Sequence, residues 1–191
     1  MRTAYIGMGA NLPSPAGSPA ATLAAAAERL GALGRVSARS SLYSTEPVGF
    51  AGQPRFLNAV VALQTNLAPR PLLEALLRIE RDFGRDRSTS IPNGPRSLDL
   101  DILLMDGVSV SEPGLEVPHP RLAERGFALI PLAEIAPRAR DPRTGTTVAQ
   151  WLQRVLSSQG PNPAGVLHSV ASIQSDLWRP GVDGASAAGK G

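Results

Sequence analysis

A chain of 191 residues with 42% hydrophobic side chains can bury one sizeable core, and a single domain is its default. It has no cysteine, which excludes a disulfide framework and a thiolate metal site, and no run of about twenty apolar residues, which excludes a transmembrane helix. The net charge is only +3, yet the pI is about 10.1 and the base is almost all arginine, Lys190 being the only lysine.

Arginine matches phosphate bidentately and stays charged at working pH. The basic character therefore points to nucleic acid, to nucleotide, or to compositional bias alone. The arginines are dispersed, whereas a nucleic-acid arm usually carries them in a run. Met1 to Gly7 holds too short an apolar run for a signal peptide, so a soluble cytoplasmic protein is expected.

Thr3 to Asn11 alternates loosely and predicts a first strand. Leu12 to Pro19 is a proline-rich loop. Ala20 to Leu33 is alanine-rich, with Leu23, Ala27 and Leu30 at helical spacing, and a helix should end near Gly34. Arg35 to Thr45 alternates and predicts a second strand. After the Pro/Gly loop Glu46 to Pro54, Phe56 to Thr65 predicts a third, antiparallel to the second. Pro69 opens an amphipathic helix bearing Leu72, Leu73, Leu76, Leu77, Ile79, Glu80 and Phe83, stopped at Gly84.

A polar loop, Arg85 to Asn93, leads through the Gly94-Pro95 turn to a central strand. A short strand over Val108 to Val110 follows. Arg121 to Ile135 suits a helix broken near Pro131, and Thr147 to Leu156 a last helix burying Trp151, Leu152 and Val155. From Ser157 the composition turns to Gly, Pro, Ser and Ala, which predicts a loop-rich, partly disordered tail, with an extra strand or turn within Val166 to Trp178. The order is β-α-β-β-α-β with additions. It predicts an α+β fold: a ferredoxin-like βαββαβ antiparallel sheet, helices on one face, and C-terminal helical additions. Residues 1–157 would form the domain and 158–191 the tail.

The central strand carries the chemistry. Leu98, Leu100, Ile102 and Leu104 should point one way and Asp99 and Asp101 the other, because strand side chains alternate. Two carboxylates at i and i+2 lie roughly 7 Å apart on one face. They repel when both are ionised, and a divalent cation relieves that repulsion. Oxygen ligands in this number suit Mg²⁺, which takes one or two carboxylates plus substrate phosphates. The bland alternative is a strand with a solvated acidic face. Arg96 just ahead, and His119 and Arg125 further on, are natural phosphate partners.

The motifs Ala4-Tyr5-Ile6-Gly7-Met8-Gly9-Ala10-Asn11-Leu12, Tyr43-Ser44-Thr45-Glu46-Pro47, Gln53-Pro54-Arg55-Phe56-Leu57-Asn58-Ala59, Arg78-Ile79-Glu80, Gly94 to Ile102, Val117-Pro118-His119-Pro120 and Arg125-Gly126-Phe127 occur in this order over residues 3–157. Together they resemble the 6-hydroxymethyl-7,8-dihydropterin pyrophosphokinase family of folate biosynthesis. The resemblance implies pyrophosphoryl transfer from ATP to the pterin hydroxymethyl group with two Mg²⁺ held by Asp99 and Asp101. It implies Arg85 and Arg96 as catalytic arginines on the ATP phosphates. Arg87, His119 and Arg125 join them there, Glu80 acts on the ATP side, and Ile102 and Leu115 wall the adenine.

For the pterin it implies Asn58 reading the ring edge, Phe56 and Phe127 stacking on its faces, and Thr45 and Val48 beside it. The protein would be a monomer acting on small molecules, with neither nucleic acid nor membrane as partner. Three positions depart from the family pattern: Phe56 replaces a frequent tyrosine, Asn93 replaces an aromatic in a loop one residue longer, and Pro120 follows His119. Two alternatives remain beside this one, a ferredoxin-like RNA-binding module and a metal-dependent nuclease. The first lacks exposed strand aromatics, and the second lacks a further acid or histidine cluster.

Overall fold

The computed structural model describes residues 1–47, 52–87, 93–158 and 171–182. Its centre is an antiparallel sheet of seven strands: β1 (Arg2–Ala10), β2 (Arg35–Arg39), β3 (Leu42–Thr45), β4 (Phe56–Thr65), β5 (Asp99–Met105), β8 (Ala171–Ile173) and β9 (Gly181–Val182). The order is β5-β1-β4-β2-β9. β3 shares the edge of β4 with β2 and pairs on its other side with β8. A separate hairpin joins β6 (Val110–Glu112) to β7 (Leu115–Val117).

Four α-helices cover the sheet: α1 (Pro19–Leu30), α2 (Pro69–Asp82), α3 (Gly126–Ile135) and α4 (Val148–Ser158). The start signals behave as their chemistry dictates. Ser18 caps α1 through Ala21 N–H at 3.3 Å, and proline opens both α1 and α2. At the end of α2, Gly84 adopts φ 82°, a backbone that favours glycine. Its N–H donates to Arg81 O at 2.9 Å, and the next N–H, of Arg85, reaches back to Glu80 O at 3.0 Å. This Schellman closure fixes the point from which the Arg85 side chain departs.

Alternation along the strands sorts the apolar residues into two cores. Ile6, Met8, Val61, Leu63, Leu100 and Ile102 pack with α1 and α2. Tyr5, Val60, Ala62, Leu103 and Leu104 pack with α3 and α4. Helices thus lie on both faces, and the C-terminal additions cover the face expected to be open. They go there because α3 is apolar over most of its surface and needs a partner sheet.

Four further expectations are corrected. The strand over Arg35 to Thr45 is two strands, broken where Ser40 turns its hydroxyl to take the Val60 N–H at 2.9 Å. Leu104 points away from Ile102. A bulge pairs Tyr5 with Leu104 and Ile6 with Ile102, leaves Leu103 extra, and so reverses the alternation. Pro131 does not break α3, which runs through it. The missing N–H costs one bond of a helix whose buried side, Ala128, Leu129, Pro131 and Leu132, holds it by packing. The short strand near Val108 lies instead at Val110–Glu112, with a partner strand that the sequence did not reveal.

Beyond α4, residues 171–182 join the sheet rather than leave it. Among the described residues no helix is long and apolar enough to cross a membrane.

Candidate active site

Asp99 and Asp101 lie on the β5 face opposite Leu100 and Ile102, towards α3. Across the ladder from them stand Gly9 and Gly7 of β1. Neither has a side chain, so the floor beside the acids is main chain. A Cβ at Gly9 would come within 3.0 Å of Asn58 Oδ1, and one at Gly7 within 3.1 Å of Leu103. Asp99, Gly9 and Asn58 thus form one row across β5, β1 and β4.

The row opens into a cavity of about 110 Å³ lined by Thr45, Phe56, Asn58, Arg96, Asp99, Asp101, Arg125 and Phe127, with Gly9, Glu46 and Asn93. The Arg96 guanidinium stands 5.5 Å from the Phe56 ring centre, and that of Arg125 stands 5.7 Å from Phe127. Asn58 Nδ2 donates to Thr45 Oγ1 at 2.7 Å, both side chains being buried. A second cavity, of about 350 Å³, lies on the other side of Asp101. Leu73, Ile102, Leu115, Glu116, His119 and Pro120 line it, with part of the β6–β7 hairpin.

The two acids are not equivalent. Asp99 pairs with Arg85 and, at 2.9 Å, with Arg96. Asp101 has no hydrogen bond among the described residues. Burial, and then the charge of Asp99, push its pKa up to about 6. An acid raised this way holds an oxygen donor at a cost that a cation would remove. The chemistry of the pair therefore fits Mg²⁺. Among the described residues no third acid or histidine completes a metal cluster, so remaining ligands would come from phosphate and water.

Glu80 organises the arginines. Only 1% of it is exposed. Oε1 accepts the Leu100 N–H at 2.8 Å, and Oε2 accepts both Arg87 Nη2 at 2.7 Å and Arg87 Nε at 3.0 Å. Arg85 Nη1 lies 3.5 Å from the same carboxylate and donates to Leu98 O at 2.8 Å. Its Nε is buried without a partner among the described residues. Desolvation raises the Glu80 pKa, against the lowering pull of Arg85.

His119 is held neutral. Burial, then Arg125 and Arg121, bring its pKa down to about 4. Its Nδ1 accepts the Arg121 N–H at 3.2 Å, which assigns the ring proton to Nε2. Nε2 then faces the Arg125 Nη1 at 3.4 Å, so two donors confront each other. An anion between them satisfies both.

The structure brings together ten of the residues singled out in the sequence around Asp99 and Asp101: Thr45, Phe56, Asn58, Arg85, Arg96, Ile102, Leu115, His119, Arg125 and Phe127. Arg87 is half exposed and reaches the site only through Glu80. Val48 lies outside the described residues.

Asn11 was not singled out. It is 3% exposed, and its Nδ2 donates to Gln53 Oε1 at 2.9 Å and Pro54 O at 3.0 Å. Its Oδ1 accepts the Arg96 N–H at 2.7 Å. Gln53 Nε2 in turn donates to Asn93 O at 2.8 Å. Asn11 thus joins the end of one site loop to the end of the other. Asn93 has φ 57°, a left-handed backbone that asparagine tolerates better than an aromatic residue.

Residues 5–137 match the family model for 7,8-dihydro-6-hydroxymethylpterin-pyrophosphokinase, HPPK. The chain belongs to this family. It is 48% identical over 139 residues to the 2-amino-4-hydroxy-6-hydroxymethyldihydropteridine pyrophosphokinase of Methylorubrum extorquens, covering 72% of this chain and 84% of that one. The Pseudomonas aeruginosa enzyme of the same name is 48% identical over 138 residues, covering 72% and 83%. Among solved structures, the wild-type HPPK-DHPS of Plasmodium falciparum superimposes with a TM-score of 0.67 at 13% identity, over 90% of this chain and 48% of that one. The present chain spans about half of that protein, and the likeness concerns the HPPK fold.

Proposed function

We propose that the protein transfers a pyrophosphoryl group from ATP to the hydroxymethyl group of 6-hydroxymethyl-7,8-dihydropterin, giving AMP and the pterin diphosphate for folate synthesis. One observation carries the reading. Asp101 lines both cavities, one bounded by two phenylalanines and an amide, the other by Ile102, Leu115 and His119. A flat heterocycle with donors and acceptors on its edge suits the first, and a nucleotide suits the second. The bond to be made lies between them, beside the acids.

Asp99 and Asp101 would hold two Mg²⁺, which when bound supply charge to the phosphates and polarise the attacking hydroxyl. The chain's own residues do the rest. Arg85 and Arg96 exchange Asp99 for phosphate oxygens and neutralise the transferring group. Neutral His119 and Arg125 offer their donors to a phosphate. Glu80 keeps Arg85 and Arg87 aimed from beneath. Phe56 and Phe127 sandwich the pterin, and Asn58, oriented by Thr45, reads its edge. In this reading Val48 adds an apolar contact to the pterin wall.

The sheet order β5-β1-β4, with β2 and β3 sharing the next place, fits a ferredoxin-like βαββαβ core in which one strand is broken in two. Residues 1–157 would be the catalytic domain, working as a cytoplasmic monomer. Neither the RNA-binding nor the nuclease alternative has support in the site or in the family.

The test is AMP release from ATP, measured with and without hydroxymethyl-dihydropterin and Mg²⁺. Release independent of the pterin would overturn the reading.

A further inference from the structure

We infer that Trp178, with strand β8, is a positioning element for the pterin wall, an inference that rests on the pyrophosphokinase reading. Both lie beyond the part of the chain that the family model matches, which ends at residue 137. Trp178 is 3% exposed and sits in the core shared with α1 and α2. Its Nε1 donates to Ser40 O at 2.7 Å, and the Arg39 guanidinium lies 5.6 Å from its ring centre.

Ser40 is the break between β2 and β3. Its N–H donates to Val60 O at 2.9 Å, and its hydroxyl takes the Val60 N–H at 2.9 Å. The indole therefore completes the bonding of the one residue that sets where β3 begins. β3 then runs four residues to Thr45, pairing Tyr43 with Asn58 and Thr45 with Phe56. Its far end supplies the hydroxyl that orients the Asn58 amide.

β3 is short, and a strand of that length is weakly held by one neighbour. Besides the Trp178 anchor, and Arg55, which donates to Ser44 Oγ and O, three elements support it here. β4 pairs on one edge. β8 pairs on the other, through Leu42–Ile173, Tyr43–Ser172 and Ser44–Ala171. From α3, the Glu134 carboxylate accepts the Ser41 N–H at 2.9 Å, the Ser41 hydroxyl at 2.8 Å and the Tyr43 hydroxyl at 2.9 Å. The Trp178 anchor and β8 both come from the tail. Neither touches the 350 Å³ cavity beside Asp101. Loosening them shifts Thr45 and Asn58 and leaves the nucleotide side in place.

Trp178→Ala and Trp178→Phe in the full chain test this by calorimetry. The pterin is titrated at saturating Mg²⁺ and a non-hydrolysable ATP analogue, and the analogue is titrated separately. Trp178→Ala should raise the pterin Kd about tenfold and the analogue Kd less than about twofold. Trp178→Phe keeps an aromatic ring and loses the bond to Ser40 with part of the indole's packing, so it should move the pterin Kd about threefold in the same direction. It also decides the matter if the alanine variant does not fold. Equal weakening of both ligands, or no change in either, overturns the inference. An intact chain that releases no AMP with both substrates present overturns the pyrophosphokinase reading instead.

Discussion

Asp99 holds Arg96 at 2.9 Å and also pairs with Arg85, while Asp101, two residues along the same strand face, has no hydrogen bond among the described residues. The two carboxylates therefore differ in what their loss does to the fold. Asp99→Asn takes one anionic partner from Arg85, whose side chain is 9% exposed and keeps only Leu98 O and the more distant Glu80 of its described partners, and should cost about 1–3 kcal/mol. Asp101→Asn removes a charge that the fold tolerates poorly and should raise the melting temperature. If each holds metal as proposed, both variants should lose turnover by about a hundredfold or more. Melting curves without Mg²⁺ and turnover across a Mg²⁺ titration check this. Near-normal turnover of either variant at saturating Mg²⁺ would remove the metal-site assignment.

The pH dependence of stability between about pH 4 and pH 6 should be shallower than Asp101 alone would make it, for a specific reason. Folding raises Asp101 from 3.8 to about 6, so in this window the folded chain keeps a proton the unfolded chain has lost. That contribution weakens as pH rises. Folding lowers His119 from 6.5 to about 4, so the unfolded chain keeps a proton the folded chain lacks. That contribution is present above pH 6.5 and is lost as pH falls towards 4. The two slopes oppose each other. His119→Asn should leave stability falling with pH, by up to about 1.4 kcal/mol per unit, and Asp101→Asn should leave it rising more gently, since water screens the half-buried ring. Denaturant midpoints across the window measure both, and parallel profiles for the two variants would contradict the assignment.

Gly9→Ala should act on the pterin alone. The new methyl group would meet Asn58 Oδ1 at 3.0 Å, so the amide must turn from its place. Pterin affinity should fall about tenfold with affinity for the ATP analogue little changed. A variant that binds both ligands as the parent does would mean the Asn58 amide does not face the ring.

Asn11→Ala should loosen both site loops together. It removes the bonds to Gln53, Pro54 and the Arg96 N–H and leaves partly buried backbone groups without that partner, at a cost of about 1 kcal/mol. Hydrogen exchange at Arg96 and Gln53 should rise in the variant. Unchanged protection at both would show that the loops are held by other means.

Much of this site was legible because strand chemistry is periodic. Phe56 to Thr65 is β4 to the residue, and the face shared by Asp99 and Asp101 follows from alternation alone. What failed to show were departures from period. An extra residue at Leu103 and a broken strand at Ser40 leave no mark on a pattern of apolar and polar residues. Glu80 did leave a mark: it falls on the stripe of Leu72, Leu76 and Ile79, the buried side of α2. A carboxylate there needs partners, and Leu100 N–H, Arg85 and Arg87 are those partners. Asn11 left none, because its bonds go to main chain and to a residue distant in sequence. The tail's composition spoke for disorder, and one tryptophan outweighed it over a short stretch.

Gly7 and Gly9 give the site a further property. The spacing of the two acids is set by the pleat of β5 against a β1 that carries no side chain at the two facing positions. The walls are separate parts, contributed by β3, β4, α3 and the loops. Changes in Phe56 or Phe127 can retune what the cavity admits without touching the carboxylates, whereas Arg96 is tied to Asp99. Substrate fit can drift through these walls, while the ground under the acids rests on two positions, Gly7 and Gly9, where any side chain would press on a neighbour.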